Sequence, residues 1–421
     1  MEKTVSTPEL AEHVLARCDR LASFSEDSGS LRRTFLSPPM RDVHREIASW
    51  LDPLGMNPRV DAAGNLHALY PPGWNSGPRL LIGSHLDTVP NAGHYDGILG
   101  VVIAAALIEA VNGEQLPYAI ELIGFSDEEG TRFGIPFIGS RALVGRVDDS
   151  LLSQQDATGI SVRRAIQDFG LNSDDIANAR LSQDVRGYLE FHIEQGPVLE
   201  QLGLPLAAVE AIAGQTRMEF TFLGRANHAG TTPMRLRADA VAGAAEWITI
   251  VEQEANATPG LITTVGSVTT LPGVANVIAR ETRVALDIRH RSDDIRLRAI
   301  EQLTAQANQI CQRRGLSIKH NTRLNQSAVA MDAFLVDQIE IAIHAAGSNP
   351  HRMVSGAGHD AMILAEELPS AMIFLRTPGG ISHDAAESVL MQDVEKALAC
   401  GIYLLHQLAA APEFLKGAHC A

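Results

Sequence analysis

Hydrophobic and polar positions alternate in two rhythms along the first half of the chain. Pro8–Ala22 carries apolar residues at helical spacing behind Ser6 and Thr7, with Pro8 and Glu9 suited to a first turn, and predicts an amphipathic helix. Met40–Leu54 predicts a second helix. Arg79–Gly83 (RLLIG), bounded by the turn-rich PPGWNSGP, predicts a buried strand. Ile98–Val111 predicts a helix, and Tyr118–Phe125 (YAIELIGF) and Tyr188–Ile193 (YLEFHI) predict further strands. Strands alternating with helices imply a mostly parallel sheet covered on both faces.

The middle of the chain changes rhythm. Gln215–Leu223 alternates as a half-exposed strand, followed by a helix at Leu236–Glu254 and strands at Leu261–Thr270 and Thr282–His290. A helix at Ile295–Arg314 and a strand at Leu316–Thr322 complete a β-α-β-β-α-β order, the split βαβ unit that can fold by itself. The α/β rhythm then resumes with a helix at Phe334–Ala346, a strand at Ala371–Leu375 and a terminal helix from Asp393 to about Leu408. The expected organisation is one α/β domain built from residues 1–213 and 326–421, with 214–325 inserted as a smaller domain. The cleft between two such domains is the default place for a site. No internal repeat or low-complexity segment interrupts this pattern.

Composition narrows the function. With 45% apolar and 20% charged residues, the 421-residue chain has the balance of a globular protein with a large core. Its formal charge of −16 excludes nucleic acid or an anionic membrane surface as the main partner, since both need a basic footprint. That charge would also repel a small anionic substrate unless something local, such as a bound metal, reversed the field. Cys18, Cys311, Cys400 and Cys420 have no C-x-x-C spacing, and MEKTVSTPEL has no apolar signal core, so a reducing cytoplasm is expected. The longest apolar stretch, near Val101–Val111, is too short to span a bilayer.

The chemistry gathers at strand ends. His85 and Asp87 follow RLLIG and face the same way at a period of two, as suits an imidazole ligand and a carboxylate that orients it. Asp96 stands in a Gly-rich loop before a helix. Asp127-Glu128-Glu129 ends the next strand, where neighbouring carboxylates point in different directions, so one can bind metal while another handles a proton. His192 ends a third strand, and His383 follows a fourth. One histidine among 15 carries little weight, and an acidic triplet is ordinarily a solvated loop. Their coincidence at strand ends, where open α/β sheets place their sites, is what counts. Three histidines with two or more carboxylates suit a pair of first-row divalent ions bridged by a carboxylate, and nitrogen/oxygen ligation permits zinc, manganese, cobalt or nickel.

The motifs GSHLDTV (83–89), DGILG (96–100), FSDEEGTRF (125–133), HIEQGPVLE (192–200), AIAGQTR (211–217), NHAGTTPM (227–234), SGAGHDAM (355–362) and GGISHDAAE (379–387) occur in order. Together they resemble the hydantoinase/carbamoylase branch of the di-metal aminoacylase and exopeptidase family, across nearly the whole chain. The resemblance implies a catalytic α/β domain holding two metal ions per subunit and an inserted ferredoxin-like lid that forms a homodimer. It implies Asp96 as the bridging carboxylate, one ion with His85 and His192, and the other with Glu129 and His383. Glu128 would be the general base, with Asp87 supporting the metal shell from behind.

The same resemblance implies that His228 reaches the partner subunit's site to stabilise an oxyanion; the ordinary alternative for that segment is a turn. Asn276 and Arg289 look like groups that bind a substrate carboxylate, Arg289 being favoured because guanidinium pairs with it bidentately. Its alternative is a sheet-surface charge. Gln195 resembles a ureido-binding residue and Arg217 another substrate contact. Ala357 and Gly358, ahead of a helix, can offer N–H groups to an anion, or be an ordinary helix entry.

The implied activity is removal of a terminal ureido (N-carbamoyl) group from a small carboxylic acid. Allantoate is favoured, since SGAGHDAM with FLRTPGGISH and the AIAGQTR segment look closer to allantoate enzymes. N-carbamoyl-L-amino acids are the alternative. A dipeptidase or aminoacylase is disfavoured by His192, where peptidase branches often carry an acid, and a non-catalytic binding protein by the complete ligand set with Glu128.

Overall fold

The computed structural model describes residues 6–416, which leaves Cys420 and the first five residues outside the description. The described chain divides into two compact units. The first comprises residues up to Glu210, Met331–Met353 and Gly358 onward; the second comprises Ala211–Ala330 and Val354–Ala357.

The strands, in chain order, are β1 (Arg59–Val60), β2 (Leu66–Tyr70), β3 (Arg79–His85), β4 (Ala119–Phe125), β5 (Val185–Ile193), β6 (Leu206–Ile212), β7 (Gly214–Leu223), β8 (Ile262–Leu271), β9 (Glu281–His290), β10 (Ser317–Gln326), β11 (Val329–Ala330), β12 (Arg352–Ser355) and β13 (Ser370–Leu375). The long helices are α1 (Thr7–Ala22), α2 (Pro38–Leu51), α3 (Ile98–Ala110), α4 (Ala240–Ala257), α5 (Asp293–Arg314), α6 (Ala333–Ala345) and α7 (Met391–Ala409).

The main sheet runs β1-β2-β4-β3-β5-β13-β6, with the short β11 and β12 also paired to β6. Only its centre is parallel: β4, β3, β5 and β13 lie side by side in one direction. The flanking strands β2 and β6 join antiparallel, so the sheet is mixed where the alternation of elements predicted a mostly parallel one. Both flanking strands are weak in sequence. LHALY is short, and LAAVEAI is rich in alanine, which has little strand preference. Four adjacent parallel strands bring their carboxyl ends to one edge, and that sets the position of everything chemical in this unit.

The helix behind that edge explains the longest apolar run. Residues Ile98 to Ile108 of α3 are all buried, so the helix is hydrophobic all round and packs against β3, β5 and α1. Its entry is Gly97, with φ at +70°, and a Cβ there would lie 2.4 Å from the His85 ring. Glycine is therefore required twice over, by the backbone angle and by the imidazole pressed against it. At the start of the described residues, α1 carries a capping box, with Ser6 N and Oγ both donating to Glu9.

In the second unit the four strands form an antiparallel sheet in the order β10-β7-β9-β8, packed against α4 and α5. Phe220, Phe222 and Trp247 fill its centre with Leu286, Ile288, Leu303 and Ile310, and the Trp247 indole donates to the Leu303 carbonyl at 2.9 Å. Helix α4 starts at Ala240, later than the apolar pattern suggests, because Met234–Leu236 forms a 3-10 turn and Asp239 caps the helix through Val241 N and Ala242 N. Cys18, Cys311 and Cys400 are buried and unpaired. No helix among the described residues is long and apolar enough to cross a membrane.

Candidate active site

His85 is the last residue of β3 and His192 the penultimate residue of β5, two neighbouring parallel strands. Each ring is fixed through Nδ1, His85 on the Asp87 carbonyl at 3.0 Å and His192 on the Ile193 carbonyl at 2.9 Å. This leaves both Nε2 atoms pointing at one spot, 3.5 Å apart. Asp96 Oδ1 lies 3.1 Å from His192 Nε2 and 3.7 Å from His85 Nε2. It is buried and makes no well-directed hydrogen bond to either. Two donors on one tetrahedral ion, with bonds of about 2.0–2.1 Å, stand about 3.3–3.4 Å apart. The three spacings bracket that value, so these side chains fit a shared cation better than a shared proton.

The other oxygen of Asp96 faces a second group. Oδ2 is 3.1 Å from His383 Nε2, which is in turn 3.5 Å from Glu129 Oε1. Asp96 thus has one carboxylate oxygen in each of two clusters, His85–Asp96–His192 and Asp96–Glu129–His383, both with ligand-type atoms close enough to hold an ion. A further cluster, Glu190–His192–His359, is compromised by its own bonding. Glu190 accepts from Ser84 Oγ at 2.7 Å and from Ala361 N at 3.0 Å, and so spends both oxygens inside the protein. Sequence reasoning passed over Glu190, although it stands two residues before His192 and shares its side of β5.

The acidic triplet after β4 divides as its backbone demands. Asp127 is fully buried and accepts from Ile138 N, away from the clusters, while Glu128 and Glu129 group with His85. Asp87 organises this turn. Its Oδ1 accepts from Glu128 N at 2.9 Å and its Oδ2 from Glu129 N at 3.2 Å. Oδ1 also lies 3.5 Å from His85 Nδ1. One buried carboxylate therefore ties β3 to the turn that carries both glutamates.

Charge is concentrated here. Burial and the neighbouring Glu129 carboxylate push Glu128 well above the usual carboxylate range. Burial and Asp96 push Glu129 up to about 7. Burial opposes ionisation of Asp96, yet the imidazoles of His192, His383 and His85 hold its pKa well below the ordinary value. So many acids with so few cations make a strong electrostatic sink for positive charge.

Gln195 and His383 share an unusual backbone state, with φ of +59° and +58°. A non-glycine residue in the left-handed region costs about 1–3 kcal/mol and persists where the surroundings impose it. Here Gln195 N donates to Thr377 Oγ1, and Gln195 Nε2 lies 3.0 Å from Asp96 Oδ2 and 3.4 Å from His383 Nε2. Its Oε1 is buried without a partner.

The remaining sequence candidates, apart from Gly358, lie in the second unit. His228 is exposed and bridged to Val277, beside Asn276, whose carbonyl accepts from Ala229 N at 3.0 Å. Its Nδ1 accepts from Gly230 N at 3.1 Å, which leaves Nε2 to carry the proton as a donor. Arg289 grips Asp287 with Nε at 2.8 Å and Nη2 at 3.0 Å, and its Nη1 donates to the Gly356 carbonyl at 2.6 Å. Arg217 Nε reaches the same Asp287 at 3.1 Å. Ala357 N donates to Ser355 Oγ, so that N–H is already engaged. Gly358 belongs to the first unit, where a Cβ would meet the Phe137 ring at 2.9 Å.

The chain is similar to known proteins along most of its length. Residues 81–410 match peptidase family M20/M25/M40. An allantoate deiminase of Arabidopsis thaliana is 38% identical over 92% of this chain and 80% of its own length. An N-carbamoyl-L-amino acid amidohydrolase of Geobacillus stearothermophilus is 36% identical over 91% of this chain and 95% of its own. Among solved structures, an amidase of the hydantoinase/carbamoylase family from Burkholderia multivorans superposes with a TM-score of 0.90, at 27% identity over 96% of this chain and 98% of that one. The chain therefore belongs to the M20/M25/M40 family of metal-dependent hydrolases, in its hydantoinase/carbamoylase branch.

Proposed function

We propose that this chain hydrolyses the terminal ureido (N-carbamoyl) group of a small carboxylic acid, with allantoate as the substrate. The observation that carries the proposal is Asp96, with one oxygen toward His85 and His192 and the other toward His383 and Glu129. In this reading His85, Asp96 and His192 would hold one divalent ion and Asp96, Glu129 and His383 a second, zinc or manganese first, with cobalt or nickel compatible with the same donors. Such ions, when bound, lower the pKa of the attacking water and polarise the ureido carbonyl. Glu128 takes a proton from that water as its oxygen bonds to the carbonyl carbon. It returns the proton to the departing nitrogen as the C–N bond breaks, and the released carbamic acid falls to ammonia and carbon dioxide. Asp87 keeps Glu128 and Glu129 in register.

The second unit is proposed as the lid and the dimer contact. His228, donating from Nε2, stabilises the oxyanion of the partner subunit's site. Arg289 and Asn276 hold the substrate carboxylate, Gln195 the ureido group, and Arg217 and Gly358 complete the contact, while the engaged N–H of Ala357 takes no part. The Geobacillus stearothermophilus relative supports a second reading in which N-carbamoyl-L-amino acids are the substrates.

The deciding experiment compares kcat/KM for allantoate with a panel of N-carbamoyl-L-amino acids, with manganese and zinc supplied separately. Allantoate is expected to lead; a carbamoyl amino acid ahead of it transfers the assignment to the second reading. Glu128→Gln should keep both ions and lose roughly 10²–10⁴-fold in kcat. Wild-type ammonia release from that variant would remove Glu128 as the base.

A further inference from the structure

The proposed ion ligands are held in two different ways. His85 and His192 sit at strand ends, fixed by the sheet itself. Asp96 and His383 sit on irregular segments, and these come from opposite ends of the first unit's sequence. Something must set their spacing.

Glu387 joins them directly. Its Oε1 accepts from Tyr95 N and from Asp96 N, each at 3.0 Å. Its Oε2 accepts from the hydroxyl of Ser382, the residue before His383, at 3.2 Å. The side chain is buried and leaves no room beside it, since a Cβ on Gly93 would lie 2.3 Å from Glu387 Cβ. One carboxylate thus clamps the backbone of Asp96 on one side and the His383 loop on the other.

We propose that Glu387 is a positioning residue that fixes the separation of Asp96 and His383, and so sets the affinity of the ion on the His383–Glu129 side. This rests on the two-ion reading above. Hydrogen bonds donated by two backbone N–H groups to a carboxylate are strong and directional. Losing them frees Asp96 and His383 to drift apart, while His85 and His192 stay on their strands. The His383 side therefore suffers first.

The test is metal binding by the full-length chain, stripped and then titrated with zinc against a competing chelator. Wild type should take up two equivalents. In Glu387→Ala one of the two should weaken about 10–100-fold, the usual effect of losing a group that orients a ligand, with the other changed much less. Gly93→Ala, which displaces the Glu387 side chain without touching any ligand, should weaken the same equivalent. Glu387→Gln should bind nearly as wild type, because its carboxamide oxygen still accepts both N–H groups and its NH2 can donate to Ser382 Oγ. Two unchanged affinities in Glu387→Ala overturn the proposal. So does a Gln variant as weak as the Ala variant, since charge and not hydrogen bonding would then be responsible. Should Glu387→Ala fail to fold, Gly93→Ala and Glu387→Gln decide. A wild-type chain that binds a single equivalent instead removes the two-ion reading itself, and the clamp with it.

Discussion

Asp87→Asn isolates the link between β3 and the acidic turn. The substitution keeps size and shape but exchanges one carboxylate oxygen for an NH2 group. In the wild type each oxygen accepts a different backbone N–H, from Glu128 and from Glu129. The amide satisfies one and sets a donor against the other. A buried donor left unsatisfied costs about 1–3 kcal/mol, and more where the lost acceptor was charged. Asp87 is fully buried, so water cannot offset that cost. The turn relieves it by moving, which shifts Glu128 and Glu129 together. A displacement near 1 Å costs about 10²-fold in rate. Steady-state ammonia release should therefore show kcat lower by roughly 10²-fold, with KM changed far less, because Asp87 is not assigned to the substrate. A folded Asp87→Asn enzyme with near wild-type kcat would refute the argument. A fall confined to KM would refute it equally.

Three further expectations follow from other parts of the molecule. His67 is buried between Glu121 Oε1, 2.9 Å from Nδ1, and Asp61 Oδ2, 3.1 Å from Nε2. Burial opposes its charge, but the two carboxylates outweigh this and raise its pKa above the ordinary histidine value of 6.5. A pKa raised on folding stabilises fully below the unfolded value and fades as pH rises through the folded one. His67→Asn should thus lower the melting temperature most at or below about pH 6 and less in alkali, and a pH-independent loss would contradict the sign. Arg289→Met should raise KM for the acid substrate about tenfold or more with kcat little altered, as expected for a lost guanidinium–carboxylate pair. An unchanged KM leaves Arg289 as a strut between Asp287 and the Gly356 carbonyl. Mixing inactive His228→Ala and Glu128→Ala subunits should restore part of the activity if a site is shared across a dimer. No recovery, with subunit exchange verified, argues for sites complete within one chain.

Much of this protein is legible in its sequence. The strand-end residues His85, Glu128, Glu129 and His192 could be read because strand period and strand boundary are local properties, written in consecutive residues. The helix at α3 and the β-α-β-β-α-β order of the second unit followed from local pattern, whereas the burial of α3 on every side emerged with the packing around it. Strands β2 and β6 escaped notice because neighbouring strands, more than their own residues, make them strands. The tertiary structure alone decided which donors meet which acceptors. Asp87 grips the backbone of Glu128 from 41 residues away, and Glu387 grips that of Asp96 from 291 residues away. Arg289, the favoured carboxylate binder, turns out to hold Asp287. A hydrogen bond depends on ångström-scale distance and direction, and chain order carries neither between distant segments. Local sequence therefore specified the elements and the kinds of chemistry at their ends, while packing decided how those ends are aimed and held.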